Sequence, residues 1–236
     1  MATYAIVHNA GDVGASWGMV AERLRARGHA VVAPDLPCED ERAGFGDYAD
    51  VVAAAVAAAG PRRGQLVVVA HSLGGFTAPL VCERLPVDLL VLVSAMVPLP
   101  GERATEWWER TGYEQAARRA REQGGWGDGD EEVFLHDVAP QLAARALALA
   151  RDQSSAPSDA PLPLAAWPAV PTRFLLCRDD RFFPAAWMRA LVRARLGIEP
   201  DEIGGGHCVY LSRPGTLAAR LEAWRSELAE PPPPVP

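Results

Sequence analysis

The run Leu66-Val67-Val68-Val69-Ala70-His71-Ser72-Leu73-Gly74-Gly75-Phe76 constrains the fold of this chain more than any other segment. Its β-branched apolar half reads as a buried strand, and its second half passes through paired glycines into a helical pattern. One serine stands between the two. A serine at so tight a strand-to-helix turn sits on strained backbone, so its side chain projects into a site instead of packing in a core. The helix N-terminus behind it offers free N–H groups and the positive end of a dipole, both suited to a developing oxyanion. Small residues, Ala70 and Gly74, flank Ser72 because the turn has no room for bulk. The plain alternative is a serine capping a helix after a buried strand, and partners elsewhere in the chain must decide between the two.

The pattern around this turn repeats. Residues 3–7, 30–33, 66–70, 89–94 and 172–177 read as buried strands; residues 17–27, 47–59, 75–84, 185–196 and 216–228 read as helices. Strands alternating with helices imply βαβ units, hence an α/β fold with a mostly parallel central sheet flanked by helices. With 236 residues the chain can bury one large core, and 49% hydrophobic with 22% charged residues is the balance of a globular protein. A formal charge of −7 gives no footprint for nucleic acid or an anionic membrane, and no apolar stretch has the length of a membrane span. All 23 basic residues are Arg, which excludes any lysine-based mechanism. Cys38, Cys82, Cys177 and Cys208 show neither CxxC nor metal-ligand spacing, so no metal and no organic cofactor is expected. Free thiols and the lack of a charged leader before residues 4–7 make a cytoplasmic location the expectation.

Alternation stops between Pro98 and Pro171. The chain therefore divides into a first core part (residues 1–97), a helical lid with its return linker (98–171), a second core part (172–230) and a stiff, disordered Pro-rich tail (231–236). The interval is too long for an ordinary connection. It is rich in aromatics, among them Trp107, Trp108 and Trp126, which are the candidate substrate-binding residues of the lid; tryptophans there also serve as packing.

A serine is a poor nucleophile until a neutral imidazole takes its proton, and that imidazole needs a carboxylate on its other nitrogen. Both follow Ser72 in the order serine, acid, histidine. After the strand at 172–177 comes Arg178-Asp179-Asp180-Arg181, with Pro184 beyond; Asp180 is the candidate acid and Asp179 its fallback. Gly204-Gly205-Gly206-His207 then presents a histidine on a flexible loop before the last helix, so His207 is the candidate base. Following the first strand, His8-Asn9-Ala10-Gly11 offers the Ala10 N–H as one oxyanion donor, with Leu73 N–H as the second. His8 and His71 read as structural, and His29 and His136 as surface or lid residues.

In these pieces the chain resembles the α/β-hydrolase superfamily, and more narrowly the branch of plant methylesterases, hydroxynitrile lyases and small bacterial hydrolases. The resemblance is carried by Val7-His8-Asn9-Ala10, His71-Ser72-Leu73-Gly74-Gly75, Cys177-Arg178-Asp179-Asp180 with Pro184, and Gly206-His207 followed by Leu211-Ser212-Arg213-Pro214. It runs from the first strand to the last helix, with only the lid interval poorly matched. Asn9 departs from the pattern, standing where glycine is usual. The resemblance places it at the floor of the pocket, where its amide could bind a substrate oxygen. Hydroxynitrile lyases of this superfamily carry Asn or Thr there, and the Thr type also needs a lysine where this chain has Cys208.

The resulting expectation is a serine hydrolase, carboxylesterase-like, that cleaves a small apolar or aromatic ester or lactone through an acyl-enzyme. A carbon–carbon lyase using the same residues without an acyl-enzyme is the alternative, and a non-catalytic ligand receptor a second one. The expected partner is a small ester-like molecule, with no nucleic acid and no membrane, and with a homodimer left open.

Overall fold

The computed structural model describes residues 1–61 and 64–229, so the Pro-rich tail lies outside the described residues. Six strands form its sheet: β1 (Ala2–Val7), β2 (Ala30–Val32), β3 (Gln65–His71), β4 (Leu89–Val93), β5 (Thr172–Cys177) and β6 (Asp201–Ile203). They lie in the order β2-β1-β3-β4-β5-β6, and every neighbouring pair is parallel. Parallel strands are covered on both faces, which is why β3 reads as a continuous apolar run. Its alternate residues divide between two cores: Leu66, Val68 and Ala70 point to one face, Val67 and Val69 to the other.

Crossover helices supply the cover. On one face pack α2 (Phe45–Ala58), α3 (Gly74–Arg84) and α9 (Ala185–Leu196); on the other pack α1 (Gly18–Arg25), α10 (Val209–Ser212) and α11 (Pro214–Ala229). The Asp47 carboxylate caps α2 by accepting the Gly44 N–H at 2.8 Å. Between β4 and β5 the chain leaves the sheet and forms α4 (Ala104–Arg110), α5 (Tyr113–Gly124), α6 (Asp130–Phe134), α7 (Pro140–Leu149) and α8 (Ala156–Asp159). This insert carries no strand among the described residues.

Topology alone gathers the candidate residues. From β1 the chain crosses to β2 on one side, and from β3 it crosses to β4 on the other. The loops after β1 and β3 therefore diverge and leave a crevice at the carboxyl edge. Val7 pairs with Ala70, so the loop holding Asn9 and Ala10 emerges beside Ser72. Cys177 pairs with Ile203, which brings the loops bearing Asp180 and His207 together in the same way. The three-residue strand β6 is absent from the sequence expectation, because Asp201-Glu202-Ile203 has no apolar run to betray it.

Candidate active site

Ser72 has a φ of 51°, in the left-handed region that a non-glycine residue avoids. Two close approaches hold it there. A Cβ on Gly74 would lie 2.6 Å from the Val7 carbonyl oxygen, and one on Gly75 would lie 1.9 Å from that of Met96. Only glycines let the start of α3 press against β1 and the segment after β4. The Ser72 carbonyl accepts N–H bonds from Gly75 at 3.0 Å and Met96 at 2.9 Å, so the turn is pinned from both sides.

His207 and Asp180 meet as a buried pair, with Nδ1 2.8 Å from Asp180 Oδ2. The other carboxylate oxygen of Asp180 accepts the N–H groups of Phe182 (2.9 Å) and Phe183 (2.8 Å). Asp179 faces elsewhere: its carboxylate accepts the Gly205 N–H at 2.8 Å. Ser72, His207, Asn9 and Ala10 line one cavity of about 330 Å³ at the carboxyl edge of the sheet. Ser72 lines that cavity and makes no side-chain hydrogen bond among the described residues. The amides of Ala10 and Leu73 likewise donate to no acceptor among the described residues, while the Leu73 side chain packs on the core.

The remaining histidines near the cavity hold backbone. His8 Nε2 accepts the Leu36 N–H at 2.9 Å, so Nδ1 carries the proton and donates to the Asn9 carbonyl at 2.8 Å. Burial lowers its pKa, which keeps the ring neutral and the loop anchored. His71 donates from Nε2 to the His207 carbonyl at 2.9 Å, and burial holds its pKa well below the ordinary value. Cys208 also lines the cavity, but burial pushes its thiol up to about 12, so it stays protonated and unreactive at neutral pH. Tyr210 donates to Asp12 Oδ2 at 2.9 Å and ties the segment after His207 to the loop after β1.

The insert closes the other side. Phe134, Leu135, Ala146 and Leu147 reach the cavity, as does Phe182 from the loop that carries Asp180. After α7, Arg151 donates its N–H to the Gly11 carbonyl at 2.7 Å, and Gln153 Oε1 accepts the Gly11 N–H at 3.2 Å. Trp107, Trp108 and Trp126 are not among the residues that line this cavity. Trp107 is fully buried and donates to the Val97 carbonyl at 3.1 Å; Trp108 packs edge-on against it and against Tyr113. Trp126 stacks under the Arg181 guanidinium, 5.1 Å from ring centroid to cation. Trp107 and Trp108 thus belong to an aromatic layer with Tyr113 and Phe183. A signal for one wall of the cavity was present in Phe182, an aromatic two residues after the candidate acid.

No group of three or more His, Cys, Asp or Glu side chains could hold a metal ion among the described residues, and all four cysteines are free. No helix of the described residues is long and apolar enough to cross a membrane. A family model described as the alpha/beta hydrolase family matches residues 6–220. The chain belongs to the alpha/beta hydrolase family. Over 108 residues it is 35% identical to probable esterase PIR7A of Oryza sativa subsp. indica. That match covers 42% of this chain and spans only 41% of the relative's own length. The crystal structure of polyneuridine aldehyde esterase superposes with a TM-score of 0.76 at 20% identity, covering 95% of this chain and 99% of that one. A pyrethroid hydrolase from Sphingobium faniae JZ-2 gives 0.73 at 22%, covering 98% and 99%. At these identities the likeness to the solved structures is one of fold.

Proposed function

We propose that this alpha/beta hydrolase is a serine esterase acting on a small apolar or aromatic ester or lactone. The observation that carries the reading is the buried 2.8 Å contact between His207 and Asp180, set in one cavity with a serine on strained backbone. Ser72 Oγ attacks the ester carbonyl while its proton passes to His207 Nε2. Asp180 holds the Nδ1–H, fixing the tautomer and stabilising the imidazolium as it forms. The amides of Ala10 and Leu73 receive the tetrahedral oxyanion. His207 then returns the proton to the leaving alcohol, and water activated by the same nitrogen releases the acid from the acyl-enzyme.

Phe134, Leu135, Leu147 and Phe182 around a cavity of about 330 Å³ favour an apolar substrate of modest size. The esterase and hydrolase names among the relatives support the same chemistry. A chromogenic aryl ester should give an acyl-enzyme burst that Ser72→Ala abolishes; steady turnover by that variant would defeat the reading. Asn9 favours a second reading, carbon–carbon lyase activity. Its amide lines the cavity, its Nδ2 has only a 3.5 Å contact to the Ala10 carbonyl, and its Oδ1 is buried without a partner among the described residues. Aldehyde release from a cyanohydrin, lost in Asn9→Gly, would favour the lyase. Failure to turn over either substrate or to react with a phosphonate would favour a receptor.

A further inference from the structure

The segment before His207 cannot hold itself in place. Gly205 has a φ of 127°, and Gly204, Gly205 and Gly206 present no side chain with which to pack. The hydrogen bonds that fix it come from elsewhere. Gly205 exchanges bonds with Asp179, its N–H reaching Asp179 Oδ2 at 2.8 Å and its carbonyl accepting the Asp179 N–H at 3.1 Å. Beyond it, the His207 carbonyl accepts the His71 Nε2–H at 2.9 Å. Between these, the Gly206 N–H donates to Asp137 Oδ2 at 2.9 Å. Asp137 belongs to the insert, in the loop between α6 and α7. Its neighbour His136 donates from Nε2 to the Asp179 carbonyl at 3.0 Å.

We propose that Asp137 is a positioning residue: its carboxylate anchors the Gly206 amide and so sets where the His207 imidazole stands relative to Ser72. The inference rests on the reading of Ser72 and His207 as nucleophile and base. Three observations carry it beyond an ordinary loop contact. A Cβ on Gly206 would meet His136 Nε2 at 2.7 Å and Asp137 Oδ1 at 2.8 Å, so the glycine is shaped to the insert. Asp137 Oδ1 is buried without a partner among the described residues, a cost that a residue placed only for solvation or packing would not incur. The bond from Gly206 is charge-assisted, which makes it the strong kind. The insert thus grips the base's loop at one end, as Arg151 and Gln153 grip the loop of Ala10 at the other.

The test is steady-state aryl-ester kinetics on the full chain, with wild type and Ser72→Ala run alongside. Asp137→Ala should lower kcat roughly 10- to 100-fold, the scale of a base displaced by about 1 Å, with KM within about 2-fold. Asp137→Asn keeps an acceptor for Gly206 and should recover kcat to within a few-fold of wild type. Asp137→Glu keeps the charge, and with it a folded loop, but moves the carboxylate by one methylene; its kcat should fall while KM holds. Wild-type kcat in folded Asp137→Ala or Asp137→Glu would overturn the positioning role, as would an Asn variant no better than Ala. If wild type turns over no ester, or Ser72→Ala retains activity, the esterase reading itself fails, so the two failures are distinguishable.

Discussion

Among the described residues, two carboxylates are sealed in ion-pair geometry against a histidine or arginine, Asp180 against His207 and Glu102 against Arg195. The two pairs are alike in burial. Glu102 has no side-chain exposure and Arg195 only 8%; for Asp180 and His207 the values are 0% and 2%. They differ in what lies beyond the partner. Arg195 grips Glu102 with two nitrogens, Nη2 to Oε1 at 2.8 Å, and spends another bond on the Val97 carbonyl at 2.6 Å. Glu102 in turn accepts the Leu99 N–H at 2.9 Å. Arginine is always charged, and this one holds both the carboxylate and a backbone carbonyl, so the pair joins the start of the insert to α9. His207 has only one nitrogen committed, and the ring borders the cavity that holds Ser72. In the proposed reaction it becomes charged only on taking the serine proton. Burial of a charged pair does not mark a site; an uncommitted atom facing a cavity does.

That contrast is open to dissection. The largest effect belongs to Asp180→Asn, which keeps the shape but cannot hold the right tautomer. kcat on an aryl ester should fall about 10,000-fold, while the melting temperature moves little. Glu102→Ala should do the reverse. Leaving Arg195 buried and unpaired should cost about 3–5 kcal/mol of stability in urea denaturation, with kcat of the folded fraction unchanged. If Glu102→Ala instead lowers kcat without destabilising the fold, the division between the two pairs is wrong. The smallest effect belongs to a third carboxylate, Glu222, which is half-buried between Arg225, Tyr4 and His29. Glu222→Gln should cost about 1 kcal/mol or less. Hydrogen bonding from Arg225 pulls its pKa down from 4.5 to about 2. A folded-state pKa below the unfolded one means the stabilisation is complete above pH 4.5 and is lost as pH falls toward about 2. An acid titration of stability in wild type and Glu222→Gln should therefore converge in that window.

The regions differ in legibility as well. Ser72 announced itself because a strained turn demands particular neighbours in sequence: a buried strand before it and Gly74 and Gly75 after it. The strands β1, β3, β4 and β5 were legible for a related reason, since a doubly covered parallel strand is apolar along most of its length. The tryptophans of the insert are less legible, because aromatic density looks alike whether it binds a ligand or packs a layer. Only the structure shows Trp107 donating inward to Val97 while Phe134 and Leu147 face the cavity. Helix α7 stops at Leu149, where the chain turns so that Arg151 can pair with Gly11, a contact between distant residues that no local pattern announces. The grip of Asp137 on Gly206 joins residues 69 positions apart, and no local pattern encodes such a contact.

The measurement that bears most directly on the central claim is covalent labelling with a serine-directed aryl phosphonate, read by peptide mass spectrometry. One label per chain is expected, on Ser72, arriving together with loss of ester hydrolysis and absent in Ser72→Ala. A label on another residue, or full hydrolysis after Ser72 is labelled or replaced, would contradict it.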